Sequence, residues 1–471
     1  MSSRRLVAGV DTSTQSVKVV VCDLDTGAVV RSGRADHPAG TEVSAASWLT
    51  AYREATADPG LLSGVEAISV GGQQHGMVTL GAAGELVRDA LLWNDNRSAP
   101  DALELIDDLG GPDRWADAVG SVPVASFTVA KLRWLARHEP QNAARVERVI
   151  LPHDYLTWEI GGRSFDPVTD RGDASGTGYF DATSNTYRDD LVVLAFDRTV
   201  VLPRVAGPAE VVGETPDGIA IGPGTGDNAA SALGMVVPDR TALISLGTSG
   251  VACLPSPVQT HDASGVIAGF ADATGRFLPL VCTLNGARNL VSMAKTLQVS
   301  LAEFSELAMS APPGSEGLVF LPYLEGERTP PLPDATGELR GMTLANLTAA
   351  NLARATIEGV LWSLAYGVQS LREQASPVEQ VMLTGGAAQS PAVRAIAADV
   401  FGVPVLTTDP YESVAVGAAR QAAWALTGTL PEWSSPVSGR SEVRASARGA
   451  VTAEELDDRY RTVLAEVQDR A

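Results

Sequence analysis

The run Gly222-Pro-Gly-Thr-Gly-Asp-Asn228 and, after thirteen intervening residues, Ala242-Leu-Ile-Ser-Leu-Gly-Thr-Ser-Gly250 form the stretch on which the fold turns. Glycines this dense let backbone lie close to a ligand, and Asp227 is the one ionised side chain among them. The small residues after it predict a short helix through Ala232, and Ala242 to Leu246 predicts an apolar strand. The turn Gly247-Thr248-Ser249-Gly250 offers amides and hydroxyls to an anionic oxygen. A carboxylate beside a phosphate cradle suggests phosphoryl transfer to an alcohol, with Asn228 and Asp227 facing the acceptor. The competing reading makes Asp227 a helix cap and the glycines a plain loop.

Working outward, the chain begins with the same device. Leu6 to Val10 predicts a strand, Asp11-Thr-Ser-Thr-Gln-Ser16 a turn, and Val17 to Cys22 a return strand. Val10-Asp11-Thr12-Ser13 and Leu246-Gly247-Thr248-Ser249 lie 236 residues apart, from 11 to 247, half the chain. That offset predicts duplication of a whole domain, with two hydroxyl-rich turns facing one cleft. The expected division is 1–238 and 239–471, with a hinge near Val236 to Arg240. Asp11 reads either as a turn residue bonding its own backbone or as an anchor for Mg²⁺, which keeps its waters and needs one or two carboxylates.

The length, 471 residues, exceeds the ~250–300 at which one core stops growing, so two domains are expected on size alone. A net charge of -21 disfavours nucleic acid or an anionic membrane as partner, since nothing in the sequence supplies a broad basic face. Any phosphate site must then rely on local amides and a metal. Cys22, Cys253 and Cys282 lack metal-ligand spacing and cannot all pair, which fits a reduced cytoplasm. The Arg4-Arg5 pair is followed by too short an apolar run for an export signal, and no run reaches the ~18 residues of a membrane span.

Further along, Ala67 to Val70 predicts a buried strand ending in Gly71-Gly-Gln-Gln-His-Gly76. Gln73, Gln74 and His75 are hydrogen-bonding heads bracketed by glycine, as a polyol or keto-sugar requires. The plain alternative for His75 is an exposed turn. Trp93, at the end of another apolar strand, reads as a sugar-pocket wall or as core. Helices are expected from Ser126 and over His153 to Ile160, and Asp166 to Asp190 reads as a polar loop beside the cleft. In the second half a strand over Gly275 to Val281, a helix over Asn285 to Leu297, a strand over Leu318 to Tyr323 and an irregular loop over Glu325 to Gly341 are expected. A long helix follows over Ala349 to Leu371. Gln380 to Thr384, Gly385-Gly386 and Ser390-Pro391 make a strand, a glycine turn and a capped helix start, a corner common in nucleotide sites. No Walker loop, no G-x-G-x-x-G after the first strand, no zinc cluster and no G-x-S-x-G elbow occurs.

Ser126-Phe-Thr-Val-Ala-Lys-Leu-Arg-Trp-Leu135, together with Gly337-Glu-Leu-Arg-Gly-Met342 and Asn351-Leu-Ala-Arg-Ala-Thr-Ile-Glu358, resembles the paired signatures of the FGGY carbohydrate kinases, and most of all their xylulokinase branch. The resemblance runs from Val7 to about Trp424. It implies an α/β, two-domain actin/hexokinase/Hsp70-like (ribonuclease H-like) ATPase fold with the ligand cleft between duplicated domains. The first domain would bind sugar and supply the base, and the second would bind nucleotide. Carried over by position, Asp227 is similar to the general base and Asp11 to the metal-associated carboxylate. Thr14 and Lys18 fall in the first phosphate turn, Gly247 and Thr248 in the second, and Gly385, Gly386 and Ser390 in the adenosine motif. Gln74 and His75 match the sugar-reading position. Ser13 departs from the glycine common among relatives. The implied reaction is ATP- and Mg²⁺-dependent phosphorylation of D-xylulose at its C5 hydroxyl, and a homodimer is compatible with it. A kinase of the same fold for another ketose or polyol stays open, as does a non-catalytic sugar or nucleotide sensor. Retention of both Asp11 and Asp227 argues against the sensor.

Overall fold

The computed structural model describes residues 4–443 and 451–470. They form two compact units: unit 1 holds the chain up to Val236, Val258–Leu278 and Glu412–Ser435, and unit 2 holds Val237–Pro257, Pro279–Tyr411 and the chain from Pro436. The first crossing, Val236 to Val237, lies beside the expected division after residue 238. Two later segments return to unit 1, so the division is discontinuous where a single cut was expected.

Unit 1 is built on the hairpin Leu6–Thr12 and Ser16–Asp23, extended on one side by Val29–Asp36 and on the other by Val65–Gly72 running parallel to Leu6–Thr12. Ala220–Ile221 then pairs parallel with Val65–Gly72, and Gly213–Glu214 closes the edge. The central strands are near-continuous apolar runs because both faces are covered. One cover is the helix Ser413–Thr427, about 400 residues downstream in sequence. A Cβ on Gly9 would overlap Ala415 O, and one on Gly417 would overlap Ala230 O. Small residues thus let this helix lie against both the first strand and the helix Asp227–Gly234. A methyl at either glycine would overpack the crossing by about 1–3 kcal/mol.

Unit 2 repeats the plan. Thr241–Leu246 pairs antiparallel with Gly250–Cys253, which pairs with Leu280–Thr283. On the other side Thr241–Leu246 runs parallel to Gln380–Thr384, that strand runs parallel to Val405–Thr408, and Val437–Ser441 closes the edge antiparallel. The strand orders of the two sheets coincide, as the 236-residue offset predicts.

Local boundaries differ in places. The helix of the first signature spans Thr128–His138 and the long helix reaches Gln374. The strand expected over Gly275 to Val281 is Leu280–Thr283. The Asp166–Asp190 segment is not an open loop: it contains a short strand, the helix Arg171–Ala174 and a small hairpin. Among the described residues no helix is long and apolar enough to cross a membrane.

Candidate functional site

In unit 1 the strand ends Thr12, Gly72 and Gly226 converge, because Thr12 pairs with Gly72 and Gly226 pairs with the same residue from the far side. Asp227 is the first residue of its helix, with Gly226 in the N-cap position. It is half-buried at the helix's positive end. Asn228 Nδ2 donates to Asp227 Oδ1 at 3.0 Å and to Gln74 Oε1 at 2.9 Å, tying the acid to the first of the sugar-reading candidates. A Cβ on Gly226 would come within 2.8 Å of the Gln74 side chain, so any larger residue there would displace Gln74. Burial first, then the charges of Asp11 and Asp173, push Asp227 up to about 7.

Asp11 is buried, and Ser13 Oγ donates to its Oδ1. Burial raises Asp11 to about 6, against the opposing pull of the Ser13 hydroxyl and the Lys18 charge. Lys18 sits across the hairpin from Asp11, and its Nζ pairs with Glu412 Oε2 at 2.6 Å, so this cation already has a carboxylate partner. Trp93 is only half-buried, and its Nε1 donates to Thr14 Oγ1 at 2.9 Å. Two candidates assigned to different ligands, Thr14 to phosphate and Trp93 to sugar, are therefore neighbours.

His75 is not an exposed turn residue. Its ring lies between Phe127 and Phe270, at centroid distances of 5.0 and 5.4 Å. Its Nδ1–H donates to Gly176 O at 2.7 Å, which fixes the tautomer. Its φ of 68° is one that few non-glycine residues adopt. Gln73 is wholly buried, and its amide has no hydrogen-bond partner among the described residues.

Sequence reasoning missed the support beneath these groups. His153, Asp154 and Asp173 are fully buried together, with His153 Nδ1 2.6 Å from Asp173 Oδ2 and Nε2 3.2 Å from Asp154 Oδ1. Burial disfavours the imidazolium, but Asp154 and then Asp173 outweigh it and hold His153 at about 9. His153 packs against two glycines that lead to Gln74 and Asp227, its Cβ and backbone against Gly72 and its ring against Gly224. Asp170 caps the helix Arg171–Ala174 and accepts from Thr225 Oγ1 at 2.7 Å, two residues before Asp227. The cluster of Asp170, Asp173 and Ser175 in a glycine-rich run was the visible signal; its burial was not.

In unit 2 the turn Gly247–Ser249 carries no charge. A Cβ on Gly247 would meet only Ser249 O, at 3.8 Å, and one on Gly386 would meet nothing within 4 Å, so both positions are open. Gly385 has φ +97°, and a Cβ would come 2.6 Å from Leu246 O, so only glycine brings the two turns this close. Ser390 occupies the N-cap of Pro391–Phe401 without capping it. Ser305 Oγ accepts the Ala392 N–H instead, at 3.1 Å. The glycine corner is braced by Arg394, which donates to Gln389 Oε1 at 2.7 Å and to Thr408 O at 3.0 Å.

With this geometry established, comparison with known proteins is informative. Residues 6–234 match the N-terminal domain of the FGGY family of carbohydrate kinases and residues 242–426 its C-terminal domain. A xylulose kinase of Streptomyces coelicolor is 44% identical over 90% of this chain and 88% of its own length. One from Streptomyces rubiginosus is 43% identical over 90% and 89%. The crystal structure of a xylulose kinase from Bifidobacterium adolescentis superposes with a TM-score of 0.90 at 41% identity, covering 98% of this chain and 100% of that one.

Proposed function

The chain belongs to the FGGY family of carbohydrate kinases, with the two-domain fold of the actin/hexokinase class, and from that premise we propose that it phosphorylates D-xylulose at the C5 hydroxyl using ATP. The observation that carries this reading is the Asn228 bridge between Asp227 and Gln74. It joins a carboxylate of near-neutral acidity to an amide able to hold a sugar hydroxyl. Relatives at 43% and 44% identity are named xylulose kinases, which supports the choice of ketose.

In this reading Asp227 accepts the proton of the attacking hydroxyl. A base near pKa 7 combines a large ionised fraction with useful proton affinity at neutral pH. Gln74, His75 and Trp93 orient the ketose, and Asn228 holds Asp227 in line. Gly247 and Thr248 offer an amide and a hydroxyl to the phosphates, Gly385, Gly386 and Ser390 the surface for adenosine, and Thr14 and Lys18 border the first turn. Phosphoryl transfer needs alignment and charge stabilisation more than covalent help from the protein. The donor set fits Mg²⁺: Asp11 is a hard carboxylate oxygen with the Ser13 hydroxyl beside it, and a cation there would offset the burial that now raises its pKa. When bound, the ion neutralises charge on the transferring phosphate. The three cysteines are free, which fits a reducing compartment such as the cytoplasm.

An ADP-release assay over a panel of ketoses and polyols tests this directly. The highest kcat/KM is expected for D-xylulose. A preference for a different polyol would replace the substrate, and absence of turnover with every panel member would leave a ligand sensor as the better description.

A further inference from the structure

The second phosphate turn does not stand alone. Leu284, Asn285 and Gly286, which leave the strand Leu280–Thr283, cross over it. Gly286 N donates to Thr248 O at 3.2 Å and Ala287 N donates to Gly247 O at 2.8 Å. A Cβ on Gly286 would sit 2.7 Å from both Gly247 O and Ser249 O, so the crossing segment is in contact with the turn. Whatever fixes this segment therefore fixes the amide and hydroxyl that the turn presents.

One side chain does so. Glu327 comes from the stretch expected to be an irregular loop, and it is 1% exposed. Its Oε1 accepts from Leu284 N and from its neighbour Arg328 N, both at 2.7 Å, and its Oε2 accepts from Asn285 Nδ2 at 2.9 Å. The same Asn285 amide also donates to Gly326 O at 2.7 Å. Two residues on, Thr329 Oγ1 donates to Cys282 O at 2.8 Å, a second tie to the strand that feeds the crossing. A carboxylate buried this completely is costly unless its lone pairs are met, and here they are met by the segment that carries Gly286.

We propose that Glu327 is a positioning residue for nucleotide phosphate: it holds Leu284–Gly286, and through them the Gly247–Ser249 turn, in the conformation that receives the anion. The inference rests on the reading of that turn as the phosphate cradle. Glu327 touches no reacting group and acts only through the backbone it anchors. Displacements of about 1 Å at such a remove cost on the order of 10²-fold in rate, which sets the scale expected.

The test uses the full chain and three variants. Glu327→Gln replaces one acceptor oxygen with an NH2 group facing N–H donors, Glu327→Asp keeps the charge but shortens the reach, and Thr248→Ala tests the cradle itself. ADP and D-xylulose affinities are measured separately by titration calorimetry, KM for ATP and kcat by assay, and folding by thermal melting. The expected result is a rise in KM for ATP of about tenfold or more in Glu327→Gln, a smaller rise in Glu327→Asp, and unchanged D-xylulose affinity in both. A fold-stabilising role alone would lower the melting temperature without separating the two ligands. Should Glu327→Gln fail to fold, Glu327→Asp decides on the same separation. If Thr248→Ala weakens ADP binding while the folded Glu327 variants leave it within twofold, the proposal is overturned and the cradle stands. If Thr248→Ala leaves ADP binding unchanged, the cradle reading fails and takes the proposal with it.

Discussion

The turn after Leu6–Thr12 and the turn after Thr241–Leu246 occupy the same place in sheets of the same strand order, yet they differ in electrical character. The first carries Asp11 with Ser13 bonded to it, and has Lys18 paired to Glu412 beside it. The second has Gly247 where the 236-residue offset places the acid, and its order comes from backbone bonds to Gly286 and Ala287. Duplication supplied one frame twice, and the two copies then diverged in where they place charge. A bare carboxylate repels phosphate, so a neutral turn of amides can cradle the anion directly. A turn bearing an acid suits phosphate only with a cation between them. The same asymmetry puts the charge-on-charge effect in unit 1, where Asp11 and Asp173 add to burial in raising the proton affinity of Asp227.

If that contrast is right, removing the acid that does the chemistry must have the largest effect. Asp227→Ala is expected to lower turnover by about 10²–10⁴ or more, the range for a positioned base, and to leave ADP affinity nearly unchanged by calorimetry. Turnover near that of the parent chain in a folded variant would remove the chemical distinction between the two turns.

Next in size is the sugar-reading side of unit 1. His75→Ala is expected to weaken D-xylulose binding by roughly 10–100-fold, the cost of leaving one buried hydroxyl unpaired at about 1–3 kcal/mol, with ATP affinity unaffected. The opposite pattern would put Gly71 to Gly76 on the nucleotide side of the comparison.

The pH profile sharpens the electrostatic half. Protonated Asp227 cannot accept a proton, so kcat/KM should fall below an apparent pKa of about 7. Neutralising Asp11 removes a like charge that raises Asp227, so the acid limb should move to lower pH in Asp11→Asn, whatever happens to the maximum rate. A limb that stays in place would mean that Asp11 and Asp227 do not sense each other.

How far the sequence discloses this arrangement depends on whether a feature is local. Strand–turn–strand patterns, the two signatures and the glycine corner at Gly385-Gly386 are written in neighbouring residues, and the duplicated frame follows from them. Burial is not local. Asp170, Asp173 and Gly176 read as a polar loop because nothing in that run states that His153 and His75 will close over it. The helix Ser413–Thr427 is equally mute: its alanines and glycines permit close packing without naming Gly9 or Ala230 as the partner. Glu327 belongs to the same class, since two of its donors, Leu284 and Asn285, lie more than 40 positions earlier.

The smallest effect, and the finest probe of the contrast, comes from Ser13. Ser13 donates to Asp11 and stabilises its ionised form, against burial, which favours the neutral one. Ser13→Gly removes that donor, so Asp11 should titrate at a higher pH, with a smaller ionised fraction near neutrality. A less ionised Asp11 repels the Asp227 carboxylate less, so the acid limb of kcat/KM should shift slightly downward, in the same sense as in Asp11→Asn but by less. Binding of Mg²⁺ should weaken, and the weakening should be recovered at higher pH as Asp11 ionises. Nucleotide binding through the neutral turn in the absence of Mg²⁺ should not change, because the substitution leaves the residues Gly247–Ser249 as they are. Metal affinity measured across pH in the variant decides the matter. A pH-independent loss would mean that Ser13 serves as a direct ligand and does not act through the charge of Asp11.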